Sequence, residues 1–573
     1  MNKKYLVTSA LPYVNGLPHL GHVAGCWLPS DVFARFHRTY GDDVVYLCGT
    51  DDHGTTSYIS AKELGMDTQK YIEMMRKKFK EISDKLCISF DIFSGTSTKT
   101  HNEVTVDFFN EVYKNGYTVE KNSKALYCEH DKIALADRFV YGICPYCGYE
   151  KAYGDQCDKC GKTYELDELK SPKCTFCHGD AVQKETKHLY IALDKLQPEL
   201  KKWIESKKNV FRPHVYAMAE KWFAEGLQPR CITRDIPWGI KVPLKGFEDK
   251  VFYVWFDAPI GYISITKELG GDEMVKDRWQ NPDCEIYNFI GKDNIDFHAI
   301  FFPSLELACK KYNLATNVVG FNFLNFEGQK FSKSKKIGIF GSALLDSDID
   351  IDTIRAYLVS IFPENKDSDF TYDGFKSNTN AELVGKYGNF FNRTLNMINK
   401  NFGGELDIDF DDIKNDLTDN DKEMVDAITT IPEQIAEYFS KTEFRAGYKE
   451  IMRFASIGNT YLEKTAPWTL IKNGDEKSAK KVLYLCLNMA KALAIVASPI
   501  IPNRTNEIWE QLGFDGAPNA SGMWQEASKI DVVKNHKVNL PKPLFARIDD
   551  ETLERYKTEL SVSIDIKDML KNE

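Results

Sequence analysis

The sequence predicts an α/β protein: a doubly wound parallel sheet, interrupted by a cysteine-rich insertion and followed by an α-helical bundle. Three observations carry this. Apolar strand-like runs alternate with helical patterns up to about residue 115 and resume past 250. Seven of the 14 cysteines crowd between Cys128 and Cys177. From Ala381 to Leu512 the pattern is helical, with few strand signals.

The first strand is read over residues 4–11, and Asn15-Gly16 is a turn signal. A helical pattern from about Pro18 to Tyr40 stops at Gly41, and Pro29 is expected to kink or split it. Residues 43–48 form a second strand ending in Gly49-Thr50-Asp51-Asp52-His53-Gly54, and helical segments follow. Turn signals every few residues set 120–190 apart as a small insertion. The alternation resumes with strand-like runs at 250–256 and 284–291. The second run opens into a polar loop, and such loops at strand carboxyl ends are where ligands sit in open α/β sheets. Helices are read at 382–399, 421–439 and 479–497, and the charged stretch from Asp549 as a helix or tail.

Composition narrows the function. The chain has 573 residues, 43% hydrophobic and 28% charged, which fits a soluble globular protein of several domains. The amino-terminal stretch has no long apolar run, and no window is apolar enough for a transmembrane helix, so a cytoplasmic protein with no membrane partner is expected. A net charge of −10 argues against nonspecific nucleic-acid coating and leaves room for a shaped nucleic-acid partner met by local basic patches.

The clustered cysteines have metal-ligand spacing. Cys144-Pro145-Tyr146-Cys147 and Cys157-Asp158-Lys159-Cys160 are two CxxC knuckles, with Gly148 and Gly161 relaxing each turn. Two thiolates per tight turn give the four ligands of a structural zinc. Cys128, Asp131, Cys174 and Cys177 form a second candidate set, in which His130 is an alternative to Asp131. The insertion thus reads as a zinc ribbon.

Two motifs carry the chemistry. His19-Leu20-Gly21-His22 puts two imidazoles one turn apart at a helix N-terminus, where free N–H groups and the positive dipole end favour phosphate. Gly21 leaves the backbone open to a nucleotide. Lys330-Phe331-Ser332-Lys333-Ser334 offers mobile ammonium groups and hydroxyls, extended by Lys335 and Lys336. Between them the motifs suit a polyphosphate. His19, His22, Lys330 and Lys333 are candidate catalytic groups, stabilising a five-coordinate phosphorus and a departing pyrophosphate. Gly21, Ser332, Ser334 and Lys333 are candidate ATP contacts.

These blocks resemble the "HIGH" and "KMSKS" signatures of the class I aminoacyl-tRNA synthetases, and the chain is most similar to their methionyl family, over about residues 4–550. Phe331 stands for the usual Met, and the glycine that normally follows early falls late, at Gly338. The resemblance implies a Rossmann-like catalytic domain, an inserted connective domain and an anticodon-binding bundle. It implies activation of L-methionine with Mg2+-bound ATP and transfer to tRNA(Met), initiator included. The block Tyr253–Tyr262 matches the amino-acid pocket, so Leu11, Tyr13, Trp255, Ala258, Pro259, Tyr262 and His298 would surround the thioether, where aromatic walls suit a polarizable sulfur. By the same resemblance Asp51 would bind the substrate ammonium, Gly291 would admit the adenosine, Asp293 would reach the ribose, and Arg234 would contact a carboxylate or phosphate. Asn389, Arg393 and Trp468 match the anticodon-reading residues, where Asn and Arg bond an unstacked base edge and Trp stacks on it.

The implied divisions are 1–117 and 231–325 for the two catalytic halves, 118–230 for the insertion, 326–378 for the KFSKS loop and stem-contact region, 379–550 for the bundle and 551–573 for a tail. A valine-, isoleucine- or leucine-specific relative would carry a large editing domain between the halves, where this chain has mostly zinc ribbon. Many family members carry a further C-terminal tRNA-binding dimerisation domain; this chain ends at Glu573 without one, so a monomer is expected.

Overall fold

The computed structural model describes residues 2–135, 137–154, 156–162, 164, 166–332 and 337–561. Its centre is a five-stranded sheet of β1 (Lys4–Ser9), β2 (Asp43–Thr50), β3 (Ile92–Gly95), β4 (Cys284–Gly291) and β5 (Asn317–Phe321). The spatial order is β5-β4-β1-β2-β3, and all four pairings are parallel. Strand order reverses beside β1, where the register pairs Ser9 with Phe289 of β4. The crevice at these carboxyl ends is the topological switch point, where such folds bind ligands. Buried Leu6, Val7, Leu47, Ile286 and Phe289 build the sheet core.

The run after β1 is helical but not uniform. An α turn, Leu20–His22, passes into a π segment, Val23–Trp27, and then into α1 (Leu28–Tyr40). Pro29 falls within this run without ending it. It occupies the first turn of α1, and the wider π register just before it, with Leu28 N–H bonded to Val23 O, absorbs the amide that proline lacks. The helix α2 (Thr68–Lys85) packs against β3, and its Tyr71 O–H donates to Val14 O, in the loop after β1, at 2.7 Å. Two further readings are corrected. Short β3 lies inside a stretch read as helical. The apolar run 250–256 is a strand only at Val251–Phe252 and then opens α3 (Val254–Val275). A buried helix is apolar all round, so its sequence carries no period to separate it from a buried strand.

Two small antiparallel sheets build the insertion. One joins Arg230–Cys231, Val182–Ile191, Thr118–Cys128 and Ile133–Leu135, and the other Ala152–Tyr153, Val140–Ile143 and Lys170–Cys174. Past the sheet, α4 (Ile351–Ser360) leads to the bundle of α5 (Asn389–Phe402), α6 (Asp419–Ser440), α7 (Phe444–Thr465) and α8 (Glu476–Ala497). A π segment, Thr379–Gly388, runs into α5. Thr418 and Asp421 cap α6 reciprocally. The charged carboxyl-terminal stretch begins as a helix, Asp550–Ser561. Among the described residues no helix is long and apolar enough to cross a membrane.

Arg355 of α4 ties these parts together. Fully buried, it donates to Asp31 Oδ2 of α1 at 2.7 Å, to Leu86 O just past α2 at 2.9 Å, and to Pro499 O and Ile500 O beyond α8 at 2.9 and 2.8 Å. A buried guanidinium is tolerated where its donors are matched in this way.

Candidate active site

The histidine motif is shaped by mutual capping. His19 is the N-cap, and its Nδ1 accepts from Gly21 N–H at 3.1 Å, while His22 Nδ1 accepts from His19 N–H at 3.1 Å. With Nδ1 accepting, each neutral ring carries its proton on Nε2 and is a donor there. The rings lie 3.9 Å apart between centroids. A side chain at Gly21 would meet the His19 ring at 2.8 Å, so the motif needs its glycine.

The lysine motif is zipped onto this turn. Leu20 N–H donates to Ile339 O at 3.0 Å and Gly341 N–H to Pro18 O at 2.8 Å. Phe331 stacks on His19 at 4.6 Å with 13° between planes. Ser332 and Ile337 exchange two backbone hydrogen bonds of 3.0 Å. Lys330 is exposed beside them, with its ammonium 5.9 Å from the Phe323 ring centroid. Lys333, Ser334, Lys335 and Lys336 lie outside the described residues. Motifs three hundred residues apart in sequence therefore share one edge of the crevice.

Across the crevice, β4 ends at Gly291. Its Cα lies 4.0 Å from the position a Cβ would take on Gly25, and a side chain on Gly291 would meet Asp293 Oδ1 at 2.9 Å. Burial raises the Asp293 carboxyl above its usual range.

The expected methionine residues meet at the ends of β1 and β2 and the start of α3. Tyr13 and Asp51 form an isolated parallel bridge. Leu11 Cδ1 packs within 2.9 Å of where a Cβ on Gly261 would stand. Ala258 and buried Pro259 follow the first turn of α3, which carries Trp255, whose ring meets Phe297 at 4.6 Å and Phe301 at 5.3 Å. Tyr262 O–H donates to His298 Nε2 at 2.9 Å, and His298 Nδ1–H donates to Asn294 O at 2.9 Å. The two bonds fix a neutral tautomer, and burial pushes the His298 pKa down to about 4. Asp51 is 4% exposed, and its Oδ1 has no hydrogen-bond partner among the described residues. Burial, then the negative charges of Asp257 and Asp52, raise its pKa well above the carboxylate range. Such a group is poised for an incoming cation. Arg234 lies 3.6 Å over the Tyr253 ring and 3.6 Å from Asp137 of the insertion.

The knuckles form two four-ligand clusters, each with its ligand atoms within 4.8 Å of one another: Cys144, Cys147, Cys157 and Cys160, and Cys128, Asp131, Cys174 and Cys177. Tetrahedral Zn–S bonds of about 2.3 Å place sulfurs about 3.8 Å apart. In the first cluster Cys144 and Cys160 are 3.9 Å apart, and Cys147 and Cys157 3.6 Å. In the second, Cys128 is 3.4 Å from Cys177, and Asp131 Oδ2 is 3.2 and 3.1 Å from the sulfurs of Cys128 and Cys174. Gly148, Gly161, His178 and Lys132, each directly after a knuckle, all have positive φ, so the degenerate knuckles share the turn of the regular ones. Both donor sets fit zinc.

On the bundle, Asn389 Nδ2 donates to Asn459 Oδ1 at 2.9 Å. Arg393 pairs with Glu463 at 2.7 Å and lies 5.3 Å over the ring of Trp468, which is 42% exposed. Trp468 is thus a surface residue, not bundle core.

Sequence reasoning missed Phe331 as the partner of His19; it was visible only as an aromatic in the Met position. It also missed His53 and His101 beside Asp257, although Asp257 lies within the pocket block.

A parallel sheet whose switch-point crevice is edged by a histidine-capped turn and the KFSKS segment has the architecture of a class I aminoacyl-tRNA synthetase. The family model for tRNA synthetases class I (M) matches residues 5–395, and that for the anticodon binding domain of methionyl tRNA ligase matches 414–564. The Methionine--tRNA ligase of Bacteroides fragilis (strain YCH46) is 40% identical over 554 residues, covering 96% of this chain and 80% of that protein. The cytoplasmic Methionine--tRNA ligase of Homo sapiens is 37% identical over 558 residues, covering 96% of this chain and 61% of that one. The structure of Mycobacterium tuberculosis methionyl-tRNA synthetase in complex with methionyl-adenylate shares the fold, with a TM-score of 0.78 at 23% identity over 95% of this chain and 100% of that one. The chain belongs to the methionyl-tRNA synthetase family.

Proposed function

We propose that the chain activates L-methionine with ATP and transfers it to the 3′-terminal adenosine of tRNA(Met), initiator included. The observation that carries this is the buried Asp51 carboxylate, whose Oδ1 has no hydrogen-bond partner among the described residues, beside the Tyr262–His298 pair and at the strand ends whose crevice is edged by both phosphate motifs. Asp51 takes the substrate ammonium. Leu11, Tyr13, Trp255, Ala258, Pro259, Tyr262 and His298 enclose the thioether. The methionine carboxylate oxygen attacks the α-phosphorus, the bond to the β-phosphate oxygen breaks, and pyrophosphate leaves. His19 and His22 donate from Nε2 to the developing charge, Lys330 and Lys333 follow the pyrophosphate, and Gly21, Gly291, Asp293, Ser332 and Ser334 seat the nucleotide. The terminal 2′-hydroxyl of tRNA then attacks the acyl carbon and AMP leaves. Mg2+ enters with ATP as its counter-ion.

Cys144, Cys147, Cys157 and Cys160 would hold one zinc, and Cys128, Asp131, Cys174 and Cys177 a second. Bound zinc would supply cross-linking of the insertion and no chemistry. Residues 118–230 serve as the connective insertion, 326–378 meet the acceptor stem, and 379–550 read the anticodon through Asn389, Arg393 and Trp468. The enzyme works in the cytoplasm. Amino-acid-dependent ATP–pyrophosphate exchange without tRNA tests the reading. Exchange with methionine alone is expected; exchange with another apolar amino acid would overturn the pocket assignment, and no exchange would overturn the activity.

A further inference from the structure

Behind the ammonium site lies a buried polar cluster that the chemistry above leaves unused. Asp257, on the first turn of α3, stands between Trp255 and Ala258. Its Oδ2 is 2.5 Å from Nδ1 of His53, two residues beyond Asp51, and 3.6 Å from Nε2 of His101. His101 Nδ1 reaches Ser264 Oγ at 2.8 Å. Asp257 and His101 are fully buried and His53 nearly so. Asp52 is engaged by Arg76 and by Ser97, whose N–H and Oγ each lie 2.8 Å from Oδ2, while the Trp238 indole N–H donates to Asp52 O at 2.8 Å.

We propose that Asp257 and His53 are positioning residues for methionine: a buried pair that holds the ammonium-binding end of β2 in register with the thioether wall at the start of α3. This rests on the assignment of Asp51 and Trp255 made above. Asp51 and His53 leave the same strand end, and Trp255 and Asp257 the same helix start, so one contact fixes both halves of the pocket.

The charges support it. Three carboxylates, Asp51, Asp52 and Asp257, face one another here. Arg76 balances Asp52. Burial alone would lower the His53 pKa, but the charge and hydrogen bond of Asp257 hold it above the usual histidine value. Burial raises the Asp257 carboxyl, and His53 and His101 draw it back below its usual range. His53 is thus the hydrogen-bonded partner opposite Asp257, and Asp51 is left to the substrate ammonium.

The ligand atoms of His53, His101 and Asp257 also lie close enough together to suggest a metal. The geometry favours the hydrogen bond. Tetrahedral ligands about 2.0–2.1 Å from a metal sit about 3.3 Å apart, and the His53–Asp257 contact is 2.5 Å.

The test is ATP–pyrophosphate exchange by the full chain carrying Asp257→Asn or His53→Gln. Either variant should raise the methionine KM on the order of 100-fold, with kcat and the ATP KM within about threefold, because binding rather than the transition state is lost. The double variant should lose no more than the worse single one, the signature of a pair acting as a unit. A wild-type chain without methionine-dependent exchange would refute the functional reading instead. With wild type active, an unchanged methionine KM, or equal loss for methionine and ATP in a variant that still melts cooperatively, overturns the pair. If Asp257→Asn does not fold, His53→Gln decides alone. Loss of one bound metal per chain in either variant also overturns it, in favour of a metal site.

Discussion

Gly338→Ala should slow amino-acid activation without unfolding the protein. Gly338 has φ +126°, and a Cβ there would stand 2.1 Å from Phe331 Cδ1. Carbon atoms rest about 3.5–4.0 Å apart, so the ring must leave its place on His19. The backbone conformation costs an alanine about 1–3 kcal/mol, and the lost stack about 0.5–1.5 kcal/mol. If the arranged His19 is what the transition state requires, exchange should fall about 10- to 1,000-fold. Phe331→Ala loses only the stack and should cost about 3- to 10-fold. Adding Phe331→Ala to Gly338→Ala removes a stack that the single variant has already lost, so the double variant should be no slower than Gly338→Ala alone. Methionine-dependent ATP–pyrophosphate exchange reads all three. Full rate in Gly338→Ala, or strictly additive losses, would refute the account of how this hairpin holds the histidine turn.

Cys147→Ser should lower zinc content and loosen the insertion, read by metal analysis and proteolysis; unchanged zinc would remove Cys147 from the ligand set. Trp468→Ala should weaken tRNA charging and spare adenylate formation, and equal loss in both would make its role structural. His298 titrates at about 4 when folded against an ordinary 6.5. A depressed histidine pKa means that the unfolded chain binds the proton more tightly, so stability is lost as pH falls from about 6.5 towards 4. His298→Gln should make acid unfolding shallower over that window, and an identical profile would show that another group governs it.

Much of the site was legible because its chemistry is local. His19–His22 sits between a strand and a helix, and four residues suffice to cap the turn. The cysteine knuckles close over four residues each, so their spacing alone betrays them. β1, β2 and β4 were read because each is a predominantly apolar run with a polar loop at its carboxyl end. The failures are non-local. β3 is short and carries Ser94 and Gly95, and only its pairing with β2 makes it a strand. Nothing within 250–256 reveals that its apolar side chains are spent on a helix. The His53–Asp257 contact joins residues 204 positions apart, and no pattern in either segment points to the other.

The Arg355 node bears on how the chain can be divided. Its guanidinium spends its donors on α1, on the end of α2 and on the turn after α8. A fragment ending before the bundle would lose the Pro499 and Ile500 acceptors and open this face, with its apolar neighbours, to water. The sheet and the bundle are therefore expected to unfold together rather than as separable modules. Expression of the nucleotide-binding half alone should give aggregates, and brief protease treatment of the whole chain should trim loops without releasing a stable core.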